Sequence, residues 1–362
     1  MDSGKLERIL SEMKKQNIPQ MIISSPSTIF YLTGEWIEPG ERLLALYLNV
    51  NGNHKMIINK LFPQEKDLGV DLIWYSDTQD SVEILSQFVM PGETIGIDKS
   101  WPALFLLRLQ ELHKDNKYVN GSKIVDYVRM IKDDKEQDLM REASHANDKI
   151  MEQLIPLTAK GYSEIELNKL VREMYAKAGH SDVSFDPITA YGKSGASPHH
   201  TPDTTKGKKG DSVVLDIGGI LNNYCSDMTR TVFLGEVSDK ARDVYETVKE
   251  AQRRGIEAAR PGNRMCDVDD ACRSYIEEKG YGEFFTHRTG HTIGIEEHEF
   301  GDVSSINEDV IKVGQCFSIE PGIYLQDEGI GVRIEDLVLI TEDGCEVLNQ
   351  YPKDLIVVPM EN

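Results

Sequence analysis

The second half of this 362-residue chain contains Ser212-Val-Val-Leu-Asp-Ile-Gly-Gly219, an apolar strand pattern interrupted by one aspartate. Because a buried carboxylate is costly unless it is paired or bound to a metal ion, Asp216 needs a partner. The turn-forming pair Asn222-Asn223 comes next, and the following strand pattern, Tyr224–Leu234, carries Asp227. If the two strands form a hairpin, both carboxylates lie close together and raise each other's pKa unless a cation neutralises them.

Three further segments place acidic or imidazole side chains beside glycines or at the ends of strands. The first is His287-Arg-Thr-Gly-His-Thr-Ile-Gly-Ile-Glu-Glu-His-Glu299, whose glycines indicate a loop that directs several imidazoles inward rather than a helix. The second is Ser318-Ile-Glu-Pro-Gly-Ile-Tyr324, where Glu320 ends an apolar strand before Pro-Gly. In the third, Arg333 and Glu335 lie two residues apart in a strand pattern and therefore share one face.

Taken singly, these side chains also have ordinary structural explanations. A strand aspartate can form an ion pair, for example with Arg230, and Arg333 can simply pair with Glu335. Together, four carboxylates and one imidazole suit Mn²⁺, Co²⁺ or Fe²⁺ at least as well as Zn²⁺, and their charge can hold two dications. Two such ions lower the pKa of a bridging water and polarise a carbonyl, which is the chemistry of peptide hydrolysis. The candidate metal ligands are Asp216, Asp227, His291, Glu320 and Glu335.

The composition argues against several classes of partner. A formal net charge of -21 repels phosphate backbones and anionic lipid headgroups, so neither nucleic acid nor a membrane is expected. The polar start of the sequence carries no apolar signal core, and the five cysteines form no CxxC pair. We therefore expect a protein of the reducing cytoplasm.

The pattern of apolar residues predicts an α/β (or α+β) protein of two domains. Residues 1–122 alternate helical and strand patterns and contain a hairpin closed by Asn51-Gly52. We expect a linker at residues 123–133, before a charged stretch that favours a helix start. Residues 134–362 then form the second domain, with helices and strands that include a long helix near 239–259.

In this order, the motifs resemble those of the Xaa-Pro peptidase family, which includes prolidase and aminopeptidase P. The resemblance is carried by Leu-Asp-Ile-Gly with Ser-Asp-Met-Thr-Arg-Thr, Gly-His-Thr-Ile-Gly with His-Glu, Ile-Glu-Pro-Gly-Ile-Tyr, and Val-Arg-Ile-Glu-Asp. It implies a pita-bread catalytic domain over residues 134–362, a creatinase-type N-terminal domain and a homodimer. The implied activity is metal-dependent cleavage of the bond before proline in short peptides, either Xaa-Pro dipeptides or longer N-terminal Xaa-Pro peptides.

The resemblance also implies how the metal ligands divide between two ions. Asp216 would chelate one ion, whereas His291 and Glu320 would bind the other. Asp227 and Glu335 would bridge both ions. Glu320 would in addition serve as the general base. Manganese is the first expectation for the metal, with cobalt, iron and zinc as alternatives.

Further roles around the ligands follow from the same resemblance. His199 and His298 would bind the scissile carbonyl and the tetrahedral oxyanion formed from it. His287 and Tyr324 would line the substrate pocket. Arg333 would steady the two bridging carboxylates from behind.

One position departs from the family pattern. Prolidases carry an arginine shortly after the His-Glu pair, where it binds the carboxylate of the dipeptide. Here Asp302 stands in that region, and we expect it to face the substrate and repel a carboxylate. Tripeptides and longer Xaa-Pro peptides should therefore compete well with dipeptides.

Three other classes remain as alternatives. A creatinase-like amidinohydrolase would use the same fold, but such enzymes lose the carboxylate ligands that are all present here. A non-catalytic binding module would have no need of complete ligands together with His199, His298 and Tyr324. A methionine aminopeptidase fits the ligands, but that branch usually lacks the extra N-terminal domain.

Overall fold

The computed structural model describes residues 1–198 and 200–360, and the chain divides into two compact units, Met1–Arg129 and Met130–Asn362. The elements of the first unit are α1 Ser3–Lys15, β1 Gln20–Ile23, α2 Pro26–Thr33, β2 Ala45–Asn49, β3 Lys55–Asn59, β4 Asp71–Tyr75, α3 Ser81–Ser86, β5 Thr94–Ile97, α4 Ala103–Leu112, β6 Lys117–Asn120 and α5 Ser122–Met130.

A six-stranded mixed sheet organises the first unit, with the strand order β4-β3-β2-β1-β5-β6. Strands β2 and β3 pair antiparallel, with Ala45 opposite Ile57, and Gly52 has a φ of 89° in the turn between them. A positive φ is readily available to glycine because it lacks a Cβ. The hairpin predicted at Asn51-Gly52 is therefore confirmed.

The segment predicted as a linker, residues 123–133, has a different structure. Most of it lies in helix α5, where Ile124, Val125 and Val128 are buried at helical spacing. The charged stretch that follows starts the next helix, as predicted. There Asp133 caps the helix, and its side chain and that of Glu136 bond to each other's backbone N–H.

The second unit contains two pairs of helices, each followed by antiparallel strands. Its elements are α6 Asp134–Leu154, α7 Glu164–Lys177, β7 Asp182–Val183, β8 Ile188–Tyr191, β9 Ser212–Ile217, β10 Gly219–Leu221, β11 Tyr224–Cys225, β12 Met228–Leu234, α8 Asp239–Ala258, α9 Met265–Glu278, β13 Gly290–His291, β14 Asp302–Val303, β15 Cys316–Ile319, β16 Gly322–Leu325, β17 Ile330–Arg333, β18 Asp336–Ile340, β19 Cys345–Val347 and β20 Val357–Val358. None of the helices within the described residues is long and apolar enough to cross a membrane.

Strands β9 and β12 form the hairpin that the two aspartates predicted. They pair antiparallel, with Asp216 opposite Thr229, so that Asp227 lies immediately before the paired residues. The predicted turn residues Asn222 and Asn223 have φ values of 52° and 64° and join the short strands β10 and β11. Asparagine tolerates this left-handed conformation better than most residues, which explains the turn.

Strand β13 approaches β15 so closely that only glycine fits at residue 290. A Cβ at Gly290 would lie 1.9 Å from the carbonyl oxygen of Ser318. The next residue, His291, donates its backbone N–H to the Ser318 hydroxyl at 3.0 Å. The close approach therefore fixes the position of the His291 backbone.

We expect Gly290→Ala to lower the free energy of unfolding by about 2–3 kcal/mol, because the two backbones must separate to admit a methyl group. Urea unfolding of the purified protein measures this loss. Gly344→Ala is the matched control, since a Cβ there meets no atom within 4 Å. A similar loss in both variants would show that the close approach at Gly290 is not the cause.

Candidate metal centre and active site

Five side chains from separate strands meet at one point in the second unit. Asp216 comes from β9, Asp227 precedes β12, His291 ends β13, Glu320 follows β15, and Glu335 lies between β17 and β18. His291 Nε2 lies 3.5 Å from Asp227 Oδ2 and 3.7 Å from Glu320 Oε1. Ligand atoms of Asp227, His291 and Glu335 lie within 4.8 Å of one another. We call these five residues the carboxylate cage.

Three buried oxygens of the cage have no hydrogen-bond partner among the described residues. They are Asp216 Oδ1, Asp227 Oδ1 and Glu335 Oε1. Glu335 Oε2, by contrast, accepts a hydrogen bond from the Thr229 hydroxyl at 2.7 Å. Because buried polar atoms are normally satisfied, three orphaned oxygens around one imidazole fit a site for divalent cations.

Burial and mutual repulsion control the protonation of the cage. Burial and the neighbouring carboxylates raise the pKa of Asp227 and of Glu335 well above the usual range. Burial raises the pKa of Glu320 to about 7, against the opposing effect of the Arg333 guanidinium. Without a cation, these carboxyl groups therefore hold protons to much higher pH than usual.

His291 is suited to act as a neutral ligand. Burial and the nearby His298 lower the pKa of His291 to about 3. Its Nδ1 lies 3.3 Å from the Thr292 carbonyl oxygen, which can only accept a hydrogen bond. The proton therefore belongs on Nδ1, and the Nε2 lone pair faces the carboxylates.

Arg333 holds the cage from one side, although through a different carboxylate than the resemblance implied. Its Nη2 donates to Asp216 Oδ2 at 2.6 Å, its Nη1 to the Tyr324 hydroxyl at 2.9 Å and its Nε to Thr229 Oγ1 at 3.2 Å. The structure shows no direct contact from this guanidinium to the two predicted bridging residues within the described part of the chain. The Tyr324 hydroxyl also lies 2.9 Å from His287 Nε2, which joins these two predicted pocket residues.

The simpler ion pairs considered from the sequence do not form. Arg230 donates to Asp336 Oδ1 at 2.7 Å, and Lys353 Nζ lies 2.5 Å from the other oxygen of that carboxylate. Asp336 follows Glu335 directly, and its side chain points to the opposite face, as strand alternation predicts. Arg230 therefore forms no ion pair with a cage carboxylate and contacts the cage only at its backbone, where Nη1 donates to the carbonyl oxygen of Glu335 at 2.6 Å.

A cavity of about 180 Å³ opens onto the carboxylate cage. His287 and His298 both line it, and the His298 ring lies 4.0 Å from the His291 ring, measured between centroids. The glycine-containing loop thus directs these imidazoles to one place. A neighbouring cavity of about 390 Å³ is lined by Tyr324 and shares Pro198 with the first.

Two of the predicted site residues, His199 and Asp302, are not among the described residues that line the cavity. His199 lies outside the described residues. Asp302 is absent from the residues that line the cavity, and its carboxylate accepts a hydrogen bond from the Ser304 hydroxyl at 2.8 Å. Strand pairing places the Asp302 backbone opposite His291, but the structure does not bring its side chain into the cavity.

Two charged residues that line the cavity, Arg288 and Glu297, were not predicted from the sequence. Burial, together with the Asp216 carboxylate, raises the pKa of Glu297 to about 7. Both residues lie inside the histidine-containing segment that was singled out. Their position between predicted site histidines is the signal that could have found them.

A buried ion pair supports the loop between His291 and His298. Lys132 Nζ lies 2.9 Å from Glu299 Oε2, and the two side chains are only 1% and 6% exposed. Glu299 Oε1 accepts the backbone N–H of Ile295 at 3.1 Å. A Cβ at Gly294 would lie 2.8 Å from this oxygen, so the loop is packed directly against the carboxylate.

A second group of possible metal ligands, Glu164, His200 and Asp203, differs from the cage in its hydrogen bonding. Glu164 accepts the backbone N–H groups of Tyr191 and Asp203, each at 3.0 Å, and lies 2.7 Å from His200 Nε2. Both oxygens of this buried carboxylate are therefore satisfied. The group tethers the chain on both sides of residue 199 and needs no cation.

The two-domain fold and its carboxylate cage are those of a metallopeptidase with a creatinase-type N-terminal domain. Residues 138–342 match the family model of metallopeptidase family M24. Residues 5–131 match that of the creatinase/prolidase N-terminal domain. The chain belongs to metallopeptidase family M24. The predicted family and fold class are thereby confirmed.

Individual relatives agree over nearly the whole chain. An uncharacterized peptidase of Staphylococcus haemolyticus is 36% identical over 360 residues, which cover 97% of this chain and 100% of that protein. Recombinant prolidase from Thermococcus sibiricus is 34% identical, with a TM-score of 0.93 and coverage of 99% of both chains. The Xaa-Pro dipeptidase from Bacillus anthracis is 29% identical, with a TM-score of 0.90 over 98% of this chain and 99% of that one.

Removing Lys132 tests the support of the histidine loop. We expect Lys132→Met to lower the free energy of unfolding by about 3–5 kcal/mol, because it leaves the Glu299 carboxylate buried without its cation. Denaturant unfolding measures the change. The exposed Lys135 in the same region serves as control, and Lys135→Met should change stability by less than about 0.5 kcal/mol. Equal effects would assign no special role to the buried pair.

Chelation should change the pH dependence of stability. An acid whose pKa is raised by folding stabilises the folded state below its ordinary pKa, and this stabilisation is lost as pH rises through the raised value. For Glu320 the window runs from 4.5 to about 7. We therefore expect chelator-treated protein to melt at a lower temperature at about pH 8 than at about pH 5, measured by calorimetry.

Added Mn²⁺ should oppose this trend, because coordination requires ionised carboxylates and bound metal stabilises the folded state. The difference in melting temperature between metal-loaded and chelated protein should thus grow with pH. Two results would contradict this account of the cage. One is a melting temperature of the chelated protein that rises from about pH 5 to pH 8, and the other is a melting temperature that added Mn²⁺ does not change.

Proposed function

We propose that this metallopeptidase is a dinuclear exopeptidase that hydrolyses the bond before proline in Xaa-Pro dipeptides or N-terminal Xaa-Pro peptides. The observation that carries the proposal is the set of three orphaned, buried carboxylate oxygens around the His291 imidazole. When its carboxylates are ionised, such a set is stable only with positive charge among its members. Similarity to a prolidase and to an Xaa-Pro dipeptidase supports the choice of substrate.

We assign the five ligands to two ions. Asp216 would bind one ion, whereas His291 and Glu320 would bind the other, and Asp227 with Glu335 would bind both. The oxygen-rich donor set suits manganese, and it also accommodates cobalt, iron or zinc. When bound, the ions would supply an acidified water molecule and polarisation of the scissile carbonyl.

Proton transfer falls to Glu320 in this proposal. Its carboxyl group lines the cavity, and burial raises its pKa to about 7, so it can take up and release a proton near neutral pH. The Ser318 hydroxyl lies 3.3 Å from Glu320 Oε1, a weak contact that leaves the carboxylate available. Glu320 would therefore accept a proton from water and pass it to the leaving amine.

The imidazoles and the apolar wall would orient the peptide. His298 lines the cavity, and burial with the nearby Arg288 charge lowers its pKa, so a neutral imidazole can donate to the developing oxyanion. We assign the same role to His199. Phe185 and Ile188 provide an apolar surface suited to the pyrrolidine ring of proline.

Further substrate contacts would come from His287 and Tyr324, which are held in place by their mutual hydrogen bond. Arg333 would hold the Asp216 carboxylate in its orientation through the 2.6 Å contact. The five cysteines are all unpaired, which supports a cytoplasmic location, and the family resemblance supports a homodimer.

A broader aminopeptidase is the alternative that one observation favours. The neighbouring cavity of about 390 Å³ adjoins the first through Pro198, and it offers room for residues beyond the second position of a peptide. The relative rates of hydrolysis of dipeptides and longer peptides distinguish a dipeptidase from a broader aminopeptidase.

The decisive assay uses the full chain stripped with a chelator and reloaded with Mn²⁺. We expect hydrolysis of Ala-Pro and Ala-Pro-Ala that requires the metal, with little activity on Ala-Ala or Met-Ala. Glu320→Gln should lower kcat at least about 100-fold, because it removes the proton acceptor. Turnover of Met-Ala in preference to both proline peptides would refute the assignment.

Metal content tests the dinuclear centre without using activity. Elemental analysis should find two ions per wild-type chain, and Asp216→Asn should lose about one of them. Asp354→Asn is the matched control, since this carboxylate is exposed and pairs with Lys249 at 2.8 Å. A single ion in the wild-type protein would exclude the dinuclear centre.

A further inference from the structure

Arg288 is a half-buried cation of the cavity at the cage, and its guanidinium has no hydrogen-bond or ion-pair partner among the described residues. It lines the cavity beside the carboxylate cage. Across residues 1–198 and 200–360, no ion pair or hydrogen bond engages its guanidinium. Arg333, the other arginine of the cavity, uses all three of its side-chain nitrogens in contacts with Asp216, Tyr324 and Thr229.

The absence of a partner is unusual in a chain of this composition. The sequence has 61 acidic residues against 40 lysines and arginines, so carboxylates are plentiful. A guanidinium removed from bulk water normally pairs with an anion, because its desolvation is otherwise uncompensated. Within the cavity, the site that Arg288 leaves open is therefore suited to an anionic group of a ligand.

Arg288 shares its cavity with the carboxylate cage. The residues that line this cavity include Arg288 and all five members of the cage. An anion bound to Arg288 inside the cavity would therefore lie beside the groups to which the proposed function assigns the chemistry.

We propose that Arg288 binds the α-carboxylate of the substrate and so makes the enzyme a dipeptidase. This inference rests on the proposed function, since it requires the scissile bond to lie at the carboxylate cage. In an Xaa-Pro dipeptide, the carbon that bears the carboxylate is bonded directly to the scissile nitrogen. With the scissile bond at the cage, that carboxylate lies within the cavity that Arg288 also lines.

The neighbouring cavity is unsuited to the same group. Glu283, Asp327 and Glu328 line it, so it repels a carboxylate. A tripeptide that extended into this space would place its carboxylate there and leave Arg288 unpaired. The role proposed for Arg288 and the expectation from Asp302 that longer peptides compete well therefore predict opposite results for a tripeptide.

The test compares Ala-Pro, its amide Ala-Pro-NH₂ and Ala-Pro-Ala on the Mn²⁺-loaded full chain. We expect the wild-type kcat/KM to favour Ala-Pro over both others by about 10- to 100-fold, the range of a charge-assisted hydrogen bond. Arg288→Gln should abolish this preference by lowering only the value for Ala-Pro. Arg288→Lys should restore part of it, because the charge returns without the bidentate geometry.

A matched control and a second substrate separate the possible causes. Arg242→Gln removes the same charge from an exposed position on helix α8 and should leave all ratios unchanged. Asp-Pro tests whether Arg288 instead binds an acidic side chain of the first residue. If Arg288→Gln weakens Asp-Pro more than Ala-Pro, or lowers the values for Ala-Pro and its amide equally, the α-carboxylate is not its ligand.

A binding measurement keeps this inference separate from the proposed activity. If the wild-type protein cleaved none of these peptides, the proposed function would fail, and protection against thermal unfolding would then decide the role of Arg288. Ala-Pro should raise the melting temperature of the wild-type protein more than Ala-Pro-NH₂ does. Equal protection by the two peptides, or an unchanged difference in Arg288→Gln, would overturn the inference.

Discussion

Repulsion among buried carboxylates governs the second unit of this protein. Four acidic side chains meet around one imidazole, and burial together with their proximity opposes ionisation of Asp227, Glu335 and Glu320. No single strand could place them there, because a strand presents neighbouring residues on alternate faces. The antiparallel pairs β9–β12, β15–β18 and β16–β17 bring the group together from distant parts of the chain.

The arginine and lysine side chains around this centre fall into two groups, those that form ion pairs among the described residues and one that does not. Arg230 binds Asp336 on the far face, Lys132 holds Glu299 behind the histidine loop, and Arg333 holds Asp216 at the edge of the cage. Each of these cations is buried and paired, so each stabilises a structure that already exists. Arg288 differs because it lines the cavity without an ion-pair partner in the part of the chain that the structure describes, and the binding role proposed for it rests on this difference.

Predictions that depend on neighbouring residues in the sequence had a different outcome from those that depend on contacts between distant strands. The Asn222-Asn223 turn and the hairpin of β9 and β12 depend on local backbone preference, and the structure confirms both. The contact made by Arg333 and the place of the Asp302 side chain depend on which strands meet, and both differ from expectation. Residues 123–133 were predicted as a linker before the charged helix start, but buried positions at helical spacing place most of them in α5.

The amino-acid sequence was enough to specify the family, the two-domain α/β architecture and the five residues of the cage. Acidic residues in apolar strands were the signal, because a buried carboxylate is costly unless it is paired or binds a metal ion. Tertiary structure alone decided which carboxylate oxygens lack a hydrogen bond, which arginine and lysine side chains form ion pairs within the protein, and which residues line the cavity. Those properties depend on distances between strands that are remote in sequence, and neither periodicity nor motif spacing encodes such distances. Arg288 is the clearest case, since its lack of an ion-pair partner within residues 1–198 and 200–360 is a property of its surroundings and not of its residue type.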